Sequence, residues 1–165
     1  MTVSIGKPVP RLRLTAVVKG EYMHLERSVI AERWIALCFP ASLRAEDLLC
    51  LNRQAECFAR EGATLLGVVS DRMLLQSLCH RELRDVTMPL LTDPLNRLHR
   101  AYGMSQESVK ATTFLIDPGR VLRHHIVHEL TTWNMEMLRG LLALTPVESP
   151  DADTIFMKRS HECRT

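Results

Sequence analysis

The chain has 165 residues, of which 46% are hydrophobic and 24% are charged, and its formal net charge is +2 at pH 7. This length predicts one domain with a sizeable core, and the composition excludes a disordered chain. Acidic and basic residues are mixed along the chain, which disfavours a nucleic-acid-binding protein, and no apolar stretch reaches the roughly 18 residues of a membrane span.

The first half of the chain predicts a hairpin followed by a strand–helix–strand unit. Apolar runs that can be buried on both faces predict the strands, and a period of about 100° per residue predicts the helix. The elements are a hairpin over residues 11–26 around Lys19-Gly20, a strand over 34–39 (WIALCF), a helix over 45–61 ended by Gly62, and a strand over 63–70.

The second half continues the alternation and ends in a second hairpin and a helix. The predicted elements are a helix over 71–83, a short strand over 88–93, a helix from Pro94 to Gly103, strands over 112–117 and 121–130, and a helix over 133–144. This order predicts an α/β fold with a central mixed sheet flanked by helices. We expect residues 1–145 to form the domain and residues 146–165 to form an irregular C-terminal tail.

The helix over 45–61 has an apolar stripe that should face the core. Its members are Leu48, Leu51, Ala55, Phe58 and Ala59. Cys50 and Cys57 lie on the opposite side beside Arg53 and Gln54, so we expect that side to be partly solvated. A helix start that follows a strand favours an anion or a thiolate, yet Cys50 lies about a turn further along.

The five cysteines do not encode a recognisable metal or redox motif. They are Cys38, Cys50, Cys57, Cys79 and Cys163, and no C-x-x-C pair occurs among them. We therefore expect neither a zinc site nor a thioredoxin-type redox pair, and no other metal or cofactor. The first ten residues lack the apolar core of a signal peptide, so we expect a cytoplasmic protein with free thiols.

Four segments, in this order, resemble the peroxiredoxin family of the alkyl hydroperoxide reductase/thiol-specific antioxidant type, AhpC/TSA. They are IGKPVPRLRLTAVVKGEY, ATLLGVVSD, MPLLTDPLNRLHRAYGM and ATTFLIDPGRVLRHHIVHEL, and the resemblance covers roughly residues 4–144. It implies a thioredoxin-like fold, a homodimer and a role in antioxidant defence. It also implies a hydroperoxide as substrate and a thiol as reductant.

The family motif P-x-x-x-T/S-x-x-C and a strand arginine form the family's peroxidase site, and this chain departs from both. Counting from Pro40, which would shield the site from water, Arg44 takes the threonine position and Asp47 takes the cysteine position. Counting back from the later helix residues AECF places Arg44 at the cysteine position instead. The arginine position falls on Ala111, and neighbouring Lys110 should point to the opposite face of the strand.

Three hypotheses remain open. In the first, Cys50 is a displaced peroxidatic cysteine, and Ser42 or Arg44 supplies a hydroxyl group or a positive charge. In the second, which the loss of both central residues favours, the chain is a non-catalytic binding or regulatory subunit with a protein partner. In the third it is a redox sensor acting through Cys50 or Cys57, which lie about 10 Å apart along the helix and cannot bridge each other.

Two further features carry expectations. Cys163 resembles the family's C-terminal resolving cysteine, which would reach across a dimer. His124, His125 and His128 are predicted on an exposed strand, where His124 and His128 would lie about 13 Å apart, too far to share a metal. We expect Cys38 to be structural, and Met135 and Met137 to fill the core or an interface.

Overall fold

The computed structural model describes residues 2–77, 82–105 and 108–145. Its strands are β1 (Thr15–Val18), β2 (Glu21–His24), β3 (Trp34–Phe39), β4 (Ala63–Val69), β5 (Leu90–Thr92), β6 (Ala111–Ile116) and β7 (Leu122–His128). Its α-helices are α1 (Ala45–Arg60), α2 (Asp71–Ser77), α3 (Glu82–Asp85), α4 (Arg97–Ala101) and α5 (Thr132–Leu144), and short 3-10 turns cover Arg27–Val29 and Pro94–Asn96.

The seven described strands form one mixed sheet in the order β2-β1-β5-β4-β3-β6-β7. Strands β3, β4 and β5 run parallel, and the other pairs are antiparallel. The predicted α/β class and mixed sheet are therefore confirmed, as are the two hairpins. The carboxyl ends of three parallel strands meet at one edge of the sheet, which is where α/β folds place ligand sites.

Strand β3 is buried on both faces and separates two hydrophobic clusters. Ala36 and Cys38 face the cluster that α1 and α5 cover, whereas Ile35, Leu37 and Phe39 face the other cluster. The alternation follows from the two-residue period of a strand. Because both faces are covered, β3 is buried along its whole length up to Phe39.

The start of the fourth helix differs from the prediction. Pro94 opens a 3-10 turn, Leu95 and Asn96 have left-handed backbone angles, and α4 begins only at Arg97. The Asp93 carboxylate accepts the backbone N–H groups of Leu98 at 2.8 Å and His99 at 2.9 Å. These bonds satisfy two N–H groups in the first turn of α4 by a residue outside the helix. The helix therefore begins three residues later than predicted.

Two residues are buried where the sequence predicts exposure. Gln54 is buried although its side of α1 is otherwise partly exposed as predicted, because α1 packs against α3 and α5 as well as the sheet. His128 is buried rather than exposed, because Thr113 Oγ1 lies 2.7 Å from Nε2 and the Glu129 carbonyl lies 2.9 Å from Nδ1. With both ring nitrogens hydrogen-bonded, the imidazole can be buried at little cost.

The predicted burial of side chains on α1 and α5 is confirmed only in part. Leu48, Leu51 and Phe58 are fully buried as predicted, whereas Ala59 is exposed at the end of α1. In α5, Met135 is buried and Met137 is exposed. The predicted tail, residues 146–165, lies outside the described residues, so the domain boundary at residue 145 stays a prediction.

Candidate functional site

The loop between β3 and α1 separates two cavities. Buried Pro40 ends the strand and lines one of them, a cavity of about 220 Å³. We call it the His99 cavity; its polar lining residues are Ser70, Arg72, His99, Ser105, Ser108 and Lys110. The other, of about 400 Å³, we call the Asp47 cavity; its polar lining residues are Ser42, Arg44, Glu46, Asp47, Lys110, Glu129 and Thr131.

A carboxylate occupies the first turn of α1. Arg44 is the N-cap residue, and Asp47 is the third residue of the helix, with only 7% of its surface exposed. Asp47 Oδ2 accepts hydrogen bonds from Ser42 Oγ at 3.0 Å, the Arg44 backbone N–H at 3.2 Å and Arg44 Nε at 3.3 Å. The structure thus brings Ser42 and Arg44 together around Asp47, at a helix start that favours a negative charge.

Cys50 lies one turn further along α1, away from both cavities. It is half-buried and packs against the core cluster that α1 covers. Burial raises the pKa of the Cys50 thiol, and the negative charge of Asp47 raises this pKa further, against a lowering by Arg53. Cys50 is not among the described residues that line either cavity. Its surroundings therefore favour the protonated thiol rather than the reactive thiolate.

Lys110 occupies a different place from the one that strand alternation predicts. It precedes β6 and lines both cavities, whereas its buried neighbour Ala111 lines only the Asp47 cavity. Alternation applies inside a strand, and Lys110 lies just before one. Lys110 and Ala111 therefore both border the Asp47 cavity, and Lys110 is a cationic residue in the lining of both cavities.

Sequence reasoning missed the polar pair that adjoins the His99 cavity. Asp93 is 2% exposed and His99 is 6% exposed, and Asp93 Oδ2 lies 2.6 Å from His99 Nδ1. The edge of the His99 ring packs on Phe39, with the ring centroids 5.0 Å apart. The available signal was an acidic residue directly after a strand, followed by a histidine one helical turn into the next element.

The remaining candidate residues lie apart from this region or outside the described residues. Cys38 is fully buried, and burial raises the pKa of its thiol to about 12, so its predicted structural role fits its position. Cys57 is half-buried on α1. Cys79 and Cys163 lie outside the described residues. Within the described part of the chain, no three His, Cys, Asp or Glu residues form a possible metal site.

None of the described helices combines the length and the apolar character needed to cross a membrane.

His124 and His128 have different surroundings from each other. His124 Nε2 lies 2.6 Å from Thr145 Oγ1, whereas His128 contacts Thr113 and Glu129. Each ring is therefore held by its own hydrogen bonds.

Comparison with known proteins gives consistent matches along most of the chain. The family model described as the AhpC/TSA family matches residues 5–125. The chain is 29% identical over 163 residues to peroxiredoxin tpx1 of Schizosaccharomyces pombe, covering 90% of this chain and 85% of that protein. It is 30% identical over 139 residues to peroxiredoxin-2 of Macaca fascicularis, covering 76% of this chain and 70% of that protein.

Solved structures give the same picture for the fold. Mycobacterium tuberculosis AhpC matches with a TM-score of 0.67 and 18% identity over 87% of this chain and 93% of that one. Enterococcus faecalis AhpC matches with a TM-score of 0.68 and 14% identity over 90% of this chain and 100% of that one. These likenesses confirm the thioredoxin-like fold that the sequence predicts.

Proposed function

Because this chain belongs to the AhpC/TSA family of peroxiredoxins, we propose that it keeps the family scaffold with weak or no peroxidase activity and acts as a non-catalytic binding or regulatory subunit. The proposal includes a cytoplasmic homodimer, which the family resemblance favours. It also includes the loss of the peroxidatic cysteine and of the strand arginine.

The observation that carries this proposal is the carboxylate of Asp47 in the first turn of α1. In a thiol peroxidase, a thiolate attacks one peroxide oxygen, the O–O bond breaks, and the sulfur becomes a sulfenic acid. A carboxylate has no sulfur to oxidise, and Asp47 Oδ2 already accepts three hydrogen bonds. Arg44 and Ser42 therefore hold an anion that cannot perform the first step.

Cys50 is a poor substitute for the missing nucleophile. An unperturbed thiol has a pKa of about 8.5 and is only a few per cent thiolate at pH 7. The pKa of Cys50 is shifted upward from its ordinary value, so its thiolate fraction falls below that level. We expect Cys50 to react with peroxide no faster than an ordinary thiol, and therefore Pro40, Ser42 and Arg44 to have no catalytic role through it.

The second candidate function is redox sensing through a thiol on α1. Cys50 and Cys57 are both free and partly exposed, which is the observation that favours it. Sensor thiols have low pKa values, so the raised pKa of the Cys50 thiol disfavours Cys50 in this role. If a peroxidase cycle operated instead, Cys163 would be the candidate resolving cysteine.

The test measures consumption of hydrogen peroxide and of an organic hydroperoxide by the wild-type chain, Cys50→Ser and Cys57→Ser. Mass spectrometry follows the oxidation state of all five thiols. We expect all three proteins to consume peroxide at the slow rate of a free thiol, with no selective oxidation. Fast turnover that Cys50→Ser abolishes would overturn the proposal. Selective oxidation of Cys57 with slow turnover would instead establish the sensor function.

A further inference from the structure

We infer that the His99 cavity binds a small oxyanion, such as a phosphate or a carboxylate group. The cavity lies where the parallel strands β3, β4 and β5 end. Pro40 follows β3, Ser70 follows β4, and Asp93, which holds His99, follows β5. Loops at the carboxyl ends of parallel strands form the usual ligand crevice of an α/β sheet.

The charge of the lining supports an anionic ligand. Arg72 and Lys110 contribute two permanent positive charges, and none of the described lining side chains is acidic. Neither cation forms an ion pair with another described residue. Ser70 Oγ accepts the Met73 backbone N–H at 3.2 Å, which leaves its own proton to be donated to a ligand. The cavity therefore offers hydrogen-bond donors and positive charge.

His99 supplies the buried polar group of this site. Its Nδ1 is held by Asp93, and Phe39 packs on its ring, so its orientation is fixed. Its Nε2 has no hydrogen-bond partner among the described residues, although the side chain lines the cavity. In the imidazolium form Nε2 donates to an oxyanion while Nδ1 keeps its bond to the Asp93 carboxylate.

The size of the cavity limits the ligand. Its volume of about 220 Å³ is below the roughly 300–1,000 Å³ of sites that enclose a drug-sized molecule. A free phosphate, a short carboxylate, or one such group at the end of a larger molecule would fit. This inference goes beyond the proposed function, because it involves no thiol chemistry and holds whether or not the chain reduces peroxides.

Calorimetric titration of the full chain with inorganic phosphate and with acetate, at constant ionic strength, tests the site. The two ions distinguish a phosphate ligand from a carboxylate ligand. We expect saturable binding of at least one ion and a loss of affinity of about tenfold or more in Arg72→Gln, because a charge-assisted hydrogen bond is removed. The matched control is Arg60→Gln, an exposed arginine at the end of α1 that lines neither cavity, and it should bind as wild type.

A second variant and a second readout locate the ion. Arg44 lines only the Asp47 cavity. If Arg44→Gln weakened anion binding and Arg72→Gln did not, the inference would be overturned. The ¹⁵N resonance of His99 Nε2 should shift during the titration, which a merely structural effect of Arg72 would not produce. The absence of saturable binding by either ion would also overturn it.

Discussion

The Asp47 and His99 cavities share Ala41 and Lys110 but have opposite electrostatic character. In the Asp47 cavity, the chain places its own carboxylates in the lining, and that of Asp47 accepts hydrogen bonds from Ser42 and Arg44. In the His99 cavity, the acidic residue lies behind the histidine ring, and the described lining is cationic. The cations of the Asp47 cavity therefore already lie beside the chain's own carboxylates, whereas those of the His99 cavity are left for an external anion.

The two carboxylates also differ in their partners. The side chain of Arg44, which pairs with Asp47, is 68% exposed, so water screens that pair. The side chain of His99, which pairs with Asp93, is 7% exposed, and Asp93 holds two backbone N–H groups as well. Replacing Asp47 should therefore lower the stability of the protein only modestly, whereas Asp93 contributes to the stability of the fold.

The largest expected effect comes from building a thiolate site in the Asp47 cavity. In the double variant Asp47→Cys/Ala111→Arg, a thiol would occupy the first turn of α1 and a guanidinium would enter the same cavity from β6. The helix start and the arginine both lower the thiol pKa and stabilise developing charge. We expect peroxide consumption to rise by at least about 10²-fold over wild type.

The matched control for this gain is Asp47→Ser/Ala111→Arg, which keeps the new charge and omits the sulfur. It should stay at the wild-type rate. A double cysteine–arginine variant that folds but reacts no faster than wild type would show that the Asp47 cavity does not correspond to the family's peroxidase site.

The next largest effect is the loss of stability in Asp93→Ala, which is to be compared with the loss in Asp47→Ala. Removing Asp93 leaves a buried histidine and two helix N–H groups without their acceptor, so we expect a loss of about 3 kcal/mol in the free energy of unfolding. Removing Asp47 costs mainly a helix cap, about 1 kcal/mol. Urea unfolding measures both values, and Asp85→Ala, at an exposed position of α3, should change the value by less than about 0.5 kcal/mol. Equal losses of stability in Asp93→Ala and Asp47→Ala would contradict the comparison.

The parts of the fold that the sequence predicts well are those with local, periodic signals. The apolar run over 34–39 coincides with β3, and the helical period over 45–61 matches α1 to within one residue. The turn at Lys19-Gly20 likewise joins two paired strands. In each case neighbouring residues encode both the element and the face that it buries.

The polar partners of the two sites could not be predicted in this way. The bond between Asp93 and His99 depends on a chain reversal in which Leu95 and Asn96 adopt left-handed angles, and no periodic pattern encodes it. The burial of His128 on β7 depends on its side-chain hydrogen bond to Thr113 on the neighbouring strand β6. Such contacts are set by tertiary structure, whereas the predicted helix over 45–61 already places Asp47 in the first turn of α1.

The smallest expected effect is a pH dependence of stability from His128, which directly precedes Glu129 of the Asp47 cavity. Burial lowers the pKa of His128 from its ordinary value of 6.5, although the hydrogen bond to Glu129 opposes this. Nδ1–H donates to the Glu129 carbonyl, and in the neutral ring Nε2 accepts the Thr113 hydroxyl proton. A proton on Nε2 would remove that acceptor.

The sign follows from the lowered pKa. The stability that neutral His128 contributes is fully present above the unfolded-state pKa and is lost as the pH falls through the folded-state pKa. Urea unfolding between about pH 8 and pH 5 should show stability falling toward acid, and His128→Gln should flatten that slope. His124, whose pKa is also lowered by burial, leaves a residual slope in the same direction. The exposed control His24→Gln should keep the full wild-type slope, and an unchanged slope in His128→Gln would mean that this ring is not held neutral by its partners.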